Sequence, residues 1–156
     1  MTGPTVLIAI SLLGIGAIIW GGTIDTPQFQ VSTFDAGPVT DFAIGEVVPF
    51  EEPGIYVYGL RSGQIRVIDG VVRTTGCRVE WLPDDRRTTA DNPGQRAGAF
   101  VDPCSDARWA IDGDAVDGTS EPLRTFVYTA RAADDGIVHI YVELIGRDAS
   151  GEAAAD

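Results

Sequence analysis

Four Asp-Gly dipeptides, Asp69-Gly70, Asp112-Gly113, Asp117-Gly118 and Asp135-Gly136, cut most of the chain into runs too short for helices. Asp followed by Gly supplies the positive φ angles of tight hairpin turns. The runs between them, Ile55–Tyr58, Gln64–Ile68, Val71–Arg73, Ala99–Val101, Arg108–Ile111, Leu123–Ala130 and Ile137–Ile145, are rich in β-branched and aromatic residues and read as strands. The last shows the period of a half-buried strand. Val138, Ile140, Val142 and Leu144 make one apolar face, and His139, Tyr141 and Glu143 point the other way. No amphipathic helix is expected after residue 25, so the expected fold class is all-β, built from antiparallel strands.

The N-terminal segment follows a different rule. From Thr5 to Gly22 the chain is apolar or small throughout, and its first charged side chain is Asp25. About 18 residues at roughly 1.5 Å each span about 27 Å as a helix, close to the thickness of a hydrocarbon core. Trp20 falls near its end, where an amphipathic ring prefers the interface. A cleaved signal peptide is the rival reading. The segment has neither a basic n-region nor a small-x-small site in the expected place, which favours an uncleaved single-pass anchor in the lipid bilayer. Gly14, Ala17 and Gly21 lie on one face of that helix, a small-residue stripe on which another helix can pack closely.

The expected organisation is an anchor over residues 1–24, a linker over 25–40, a β domain over 41–147 and a frayed tail over 148–156. One polar stretch, Asp84–Gly98, carries Arg86, Arg87 and Arg96 and no apolar residue larger than Ala apart from Pro93; such a loop is usually either disordered or a contact element. A formal net charge of −12 argues against nucleic acid as a partner.

Two segments carry a family resemblance. Gly76-Cys77-Arg78-Val79-Glu80-Trp81 resembles the end of the first cluster-binding box of bacterial Rieske proteins, Cys-x-His-x-Gly-Cys with a Val-Glu-Trp-like strand after it. Asp102-Pro103-Cys104-Ser105-Asp106-Ala107-Arg108-Trp109 is similar to the second box, Cys-Pro-Cys-His-Gly-Ser-x-Phe. The trailing Asp112-Gly113 turn and Glu121-Pro122-Leu123-Arg124 stretch extend the likeness, which runs roughly from residue 40 to 146. In the family each box gives one Cys and one His to a two-iron cluster, and a second Cys from each forms a disulfide that clamps the two loops. Carried over, the disulfide positions fall on Cys77 and Cys104. The ligand positions fall on Val72, Thr74, Asp102 and Ser105, and none of these is a ligand of that kind.

Counting alone leads to the same place. A Rieske cluster needs two thiolates and two imidazoles, and the whole chain has two cysteines and one histidine. The expected cofactor content is therefore none. The cysteines themselves admit three readings: a reactive pair, a metal pair or a structural disulfide. Cys-only zinc sites need four ligands at tighter spacing, so the disulfide is favoured. It places the domain in an oxidising compartment, periplasmic or extracellular, above an inner membrane.

Nothing points to catalysis. His139, the lone imidazole, has no nucleophile beside it in sequence, and Asp112, Asp114 and Asp117 lack the spacing and the later Glu of a calcium loop. The expectation is a non-enzymatic accessory subunit of a membrane electron-transfer complex, respiratory or photosynthetic, with other subunits of that complex as partners. The resemblance implies this context; spacing does not. In the family the cluster loops form the docking tip, so Thr75 and Asp106, with Arg86, Arg87 and Arg96 of the polar stretch, are the expected partner contacts. A stand-alone anchored binding module and an electron carrier that borrows a cofactor from a neighbour are the alternatives.

Overall fold

The computed structural model describes residues 31–146, and they form an all-β fold of eleven strands and one short 3-10 turn. The strands are β1 (Val31–Pro38), β2 (Val47–Phe50), β3 (Ile55–Gly59), β4 (Ile65–Asp69), β5 (Glu80–Leu82), β6 (Ala99–Val101), β7 (Arg108–Trp109), β8 (Ala115–Asp117), β9 (Thr125–Phe126), β10 (Tyr128–Ala132) and β11 (Val138–Ile145). They assemble into three sheets, ordered β1-β11-β10, β2-β3-β4-β9 and β5-β6-β7-β8. Every pairing between named strands is antiparallel.

The β2-β3-β4-β9 sheet lies between two cores, and the reason is legible in β3. Its sequence Ile-Tyr-Val-Tyr-Gly is apolar at consecutive positions, and all five residues are buried. Side chains alternate across a strand, so Ile55 and Val57 join Ile65, Val67, Ile140, Val142 and Leu144 on one side. Tyr56 and Tyr58 join Ile68, Phe100, Trp109 and Ile111 on the other. Edge-on rings knit the layers: Phe34 of β1 meets Phe50 of β2 at 5.5 Å, and Tyr56 of β3 meets Phe100 of β6 at 4.9 Å.

The alternation expected of the last strand is present. Ile140, Val142 and Leu144 are fully buried, while Val138, at the strand's open end, is 41% exposed. Three expectations need correction. The stretch expected to be linker contains β1, which pairs with β11 from Val31↔Ile145 to Pro38↔His139. Only Phe34 and Ala36 turn apolar side chains inward from it, too sparse a pattern to announce a strand. Val71–Arg73 is no strand: Val71 makes a single bridge to Arg78, and the segment turns. Gly70 does not have the positive φ expected of its Asp-Gly pair. It is a close-approach glycine, whose N–H bonds Gly54 O at 2.9 Å and whose added Cβ would stand 2.6 Å from that oxygen.

Among the described residues no helix is long and apolar enough to cross a membrane. The apolar run Thr5–Gly22, with Gly14, Ala17 and Gly21, and the whole of the expected tail lie outside the described residues.

Candidate functional site

Two loops flank the β5-β6-β7-β8 sheet. The first, residues 71–79, folds back through Gly76 N–H to Val72 O (2.8 Å) and Val72 N–H to Cys77 O (2.9 Å). The second, residues 102–107, closes through Asp106 N–H to Asp102 O and Asp102 N–H to Ala107 O, each 2.9 Å. Asp106 takes φ 59° there. It stands where the second Rieske box has Gly, and Asp is among the few other residues that enter the left-handed region readily.

A disulfide joins Cys77 to Cys104 across the loops, with Cα atoms 6.3 Å apart. A polar bridge runs beside it. The Asp102 side chain is fully buried, and its Oδ2 accepts the Thr75 hydroxyl at 2.9 Å and the Ser105 hydroxyl at 2.7 Å. Its Oδ1 accepts the Cys104 N–H at 3.0 Å. The two hydroxyls are held in turn, Thr75 accepting Cys77 N–H at 3.3 Å and Ser105 accepting Ala107 N–H at 3.4 Å. Burial pushes the Asp102 carboxyl up, and the bonds from Ser105, Cys104 and Thr75 outweigh it, so its pKa lies below the ordinary value.

The four positions matched to cluster ligands have separate fates. Val72 is buried in the core beside Val79, Trp109 and Leu123. Thr74 is exposed. Asp102 and Ser105 come together, but their third partner is Thr75, the residue after the matched position. Sequence reasoning named Thr75 only as a docking residue and read Asp102 only as a poor iron ligand. In the structure the two are bonded to each other, and Thr75 stays exposed.

These residues do not fit an iron–sulfur cluster. Among the described residues, one group of three potential metal donors comes together: Cys77, Asp102 and Cys104. Both sulfurs are spent on the disulfide, and the carboxylate already accepts three hydrogen bonds. Soft iron sites take thiolate and imidazole, and this group offers neither. The cleft between the first loop and Glu121–Arg124 encloses only about 20 Å³, room for a single water.

All five expected contact residues, Thr75, Arg86, Arg87, Arg96 and Asp106, are exposed. Arg87 is paired with Asp85, and Arg96 donates to Gly45 O at 2.8 Å, so both are engaged within the domain. The polar stretch is pinned to the core. Asn92 is buried, with Nδ2 2.7 Å from Gly98 O and Oδ1 accepting Ile111 N–H at 3.0 Å. Thr88, also buried, donates to Gly98 O at 2.6 Å. An open groove of about 460 Å³ lies elsewhere, between the edge strands β2 and β5, lined by Phe50, Tyr56, Arg78, Trp81 and Leu82 among others.

No protein-family model matches the chain, and no curated protein does. Among solved structures it is similar to a protein described as an NADH-dependent nitrite reductase small subunit from Mycobacterium tuberculosis, with 17% identity over 74% of this chain and 96% of that one, at a TM-score of 0.39. A likeness of that size settles neither family nor activity, so the resemblance to Rieske domains rests on the residues of the two loops themselves.

Proposed function

We propose that this chain is a non-catalytic accessory subunit of a membrane electron-transfer complex, anchored by its N-terminal apolar run, with a cluster-free Rieske-like domain bracing the periplasmic face. One observation carries the reading. The two loops that would hold a cluster are fastened to each other instead, by the Cys77–Cys104 bridge and by Asp102 with Thr75 and Ser105. A carboxylate at one ligand position does what a cofactor would otherwise do for the loops' shape. The disulfide agrees with an exported domain, and Asp106 at the glycine position of the second box supports the match in backbone as well as in sequence.

The reading is tested on protein isolated from its native membrane in mild detergent. Iron should be substoichiometric, and the reduced protein should show no two-iron EPR signal. Other membrane subunits should travel with it through purification. Stoichiometric iron with a Rieske-type spectrum would sink the cluster-free part. Migration as a lone chain would sink the subunit part and favour the second reading, a stand-alone anchored binding module. The aromatic groove beside Trp81 is the feature that supports that alternative.

A further inference from the structure

The outward face of β11 carries the only histidine of the chain, and three elements converge on it. Pairing places Asp35 of β1 opposite Tyr141, and Arg131 of β10 opposite His139 itself. Nδ1 of His139 stands 3.0 and 3.1 Å from the two Asp35 oxygens, which only accept, so Nδ1 carries a proton. Nε2 faces Asp135, in the β10–β11 turn, with Oδ2 at 3.6 Å, just too far for a hydrogen bond. That nitrogen is buried and has no hydrogen-bond partner. A neutral imidazole leaves it as an unpaired acceptor facing a carboxylate. An imidazolium presents a proton to that carboxylate and is bracketed by two negative charges.

We propose that Asp35, His139 and Asp135 form a proton-dependent clasp that fastens β1 to β11 and to the β10–β11 turn. Asp35 sits where β1 is irregular, since the register with β11 shifts between Asp35 and Pro38. The same carboxylate accepts Gly37 N–H at 2.9 Å, so it closes the irregularity and holds the imidazole at once. β1 is the edge strand through which the N-terminal segment joins the domain, so the clasp controls the strength of that junction. It stands whether or not the chain belongs to an electron-transfer complex.

The neighbouring charges fix the sign. Among the described residues the cation opposite His139 is Arg131, and its guanidinium lies over the Tyr141 ring at 3.9 Å. The Tyr141 ring is stacked 6.3 Å from the imidazole. Carboxylates therefore dominate. The hydrogen bond from His139 to Asp35 comes first in raising the His139 pKa, with the charges of Asp35 and Asp135 adding to it. A group whose pKa is raised by folding stabilises fully below its unfolded value, about 6.5, and loses that contribution as pH climbs through the folded value. Asp35 behaves in the opposite sense. Burial raises its pKa and the bond to His139 lowers it, the net being a decrease, so its contribution is lost only in acid. The clasp is complete between about pH 4 and about pH 6.5 and opens above.

The test uses the full chain in detergent micelles. A single histidine gives a single imidazole Cε1–H signal, so NMR titration reads it without assignment. The signal should titrate above its ordinary value, and Asp35→Asn and Asp135→Asn should each lower its midpoint. The thermal midpoint of unfolding should fall as pH climbs above about 6.5 through the folded value, and His139→Gln should remove that step. In the same interval the β1 amides should exchange several-fold faster once intrinsic base catalysis is corrected for, with β3 amides unchanged. Should His139→Gln fail to fold, the two Asn variants still decide through the titration. An imidazole titrating at or below its ordinary value, or β1 exchange that ignores pH in the unaltered protein, overturns the clasp.

Discussion

Asp102 shows how a single buried residue can tie two loops together. Removing its buried carboxylate takes the acceptor from the Cys104 N–H and from the Thr75 and Ser105 hydroxyls, all on exposed residues of the two loops. Asp102→Ala should therefore destabilise the domain by about 1–3 kcal/mol, the usual contribution of hydrogen bonds to a charged acceptor, read from denaturant melts near neutral pH. Because folding lowers this carboxyl's pKa, its stabilisation is present above about pH 4 and fades as pH falls through the folded value. The variant and the unaltered protein should converge in stability in acid. At this scale the sequence was half legible. Counting cysteines and histidines excludes a cluster without any structure. Nothing in the order of residues shows that Thr75 rather than Thr74 reaches Asp102, because that depends on how the first loop folds back through Gly76.

Among the elements, the expected runs contain β3, β4, β6, β7, β9, β11 and the start of β10, where apolar and β-branched residues are dense. β5 and β8 fall outside those runs; they have three residues each, and their pairing comes from strands already in place. β1 shows too few apolar positions, and its partner β11 lies a hundred residues away. The Asp84–Gly98 stretch went unread for a different reason. Its order comes from Asn92 and Thr88 bonding inward, and buried polar residues look the same in a sequence as solvated ones. That anchoring bears on the tip, since the stretch joins the strand after the first loop to the strand before the second. The disulfide spans the same interval, a separation of 27 residues. Cys104→Ala should cost about 2–5 kcal/mol, the common loss when a native bridge leaves a small exported domain, checked by melts under non-reducing conditions. Thiol labelling of the denatured, unreduced protein should find neither cysteine free.

For the whole molecule, the proposal is that the chain works by contact. Gly14→Leu or Gly21→Leu should weaken retention in the complex by blocking close helix packing, measured as the fraction co-purifying in mild detergent. Deletion of the chain should lower the thermal stability of the assembly more than its single-turnover electron-transfer rate. A collapse of transfer in complexes that stay fully assembled would return a redox role to it. The pairing of Val31 with Ile145 has one more consequence. Register partners lie about 5 Å apart, so the chain enters and leaves the domain side by side. Topologically the domain is a closed loop hung from one point. Tension applied through both ends would meet the β1–β11 ladder at its last rung and open it one pair at a time, as a zipper opens, instead of loading all its hydrogen bonds together. The central sheet, with no end of the chain attached to it, would feel that pull last.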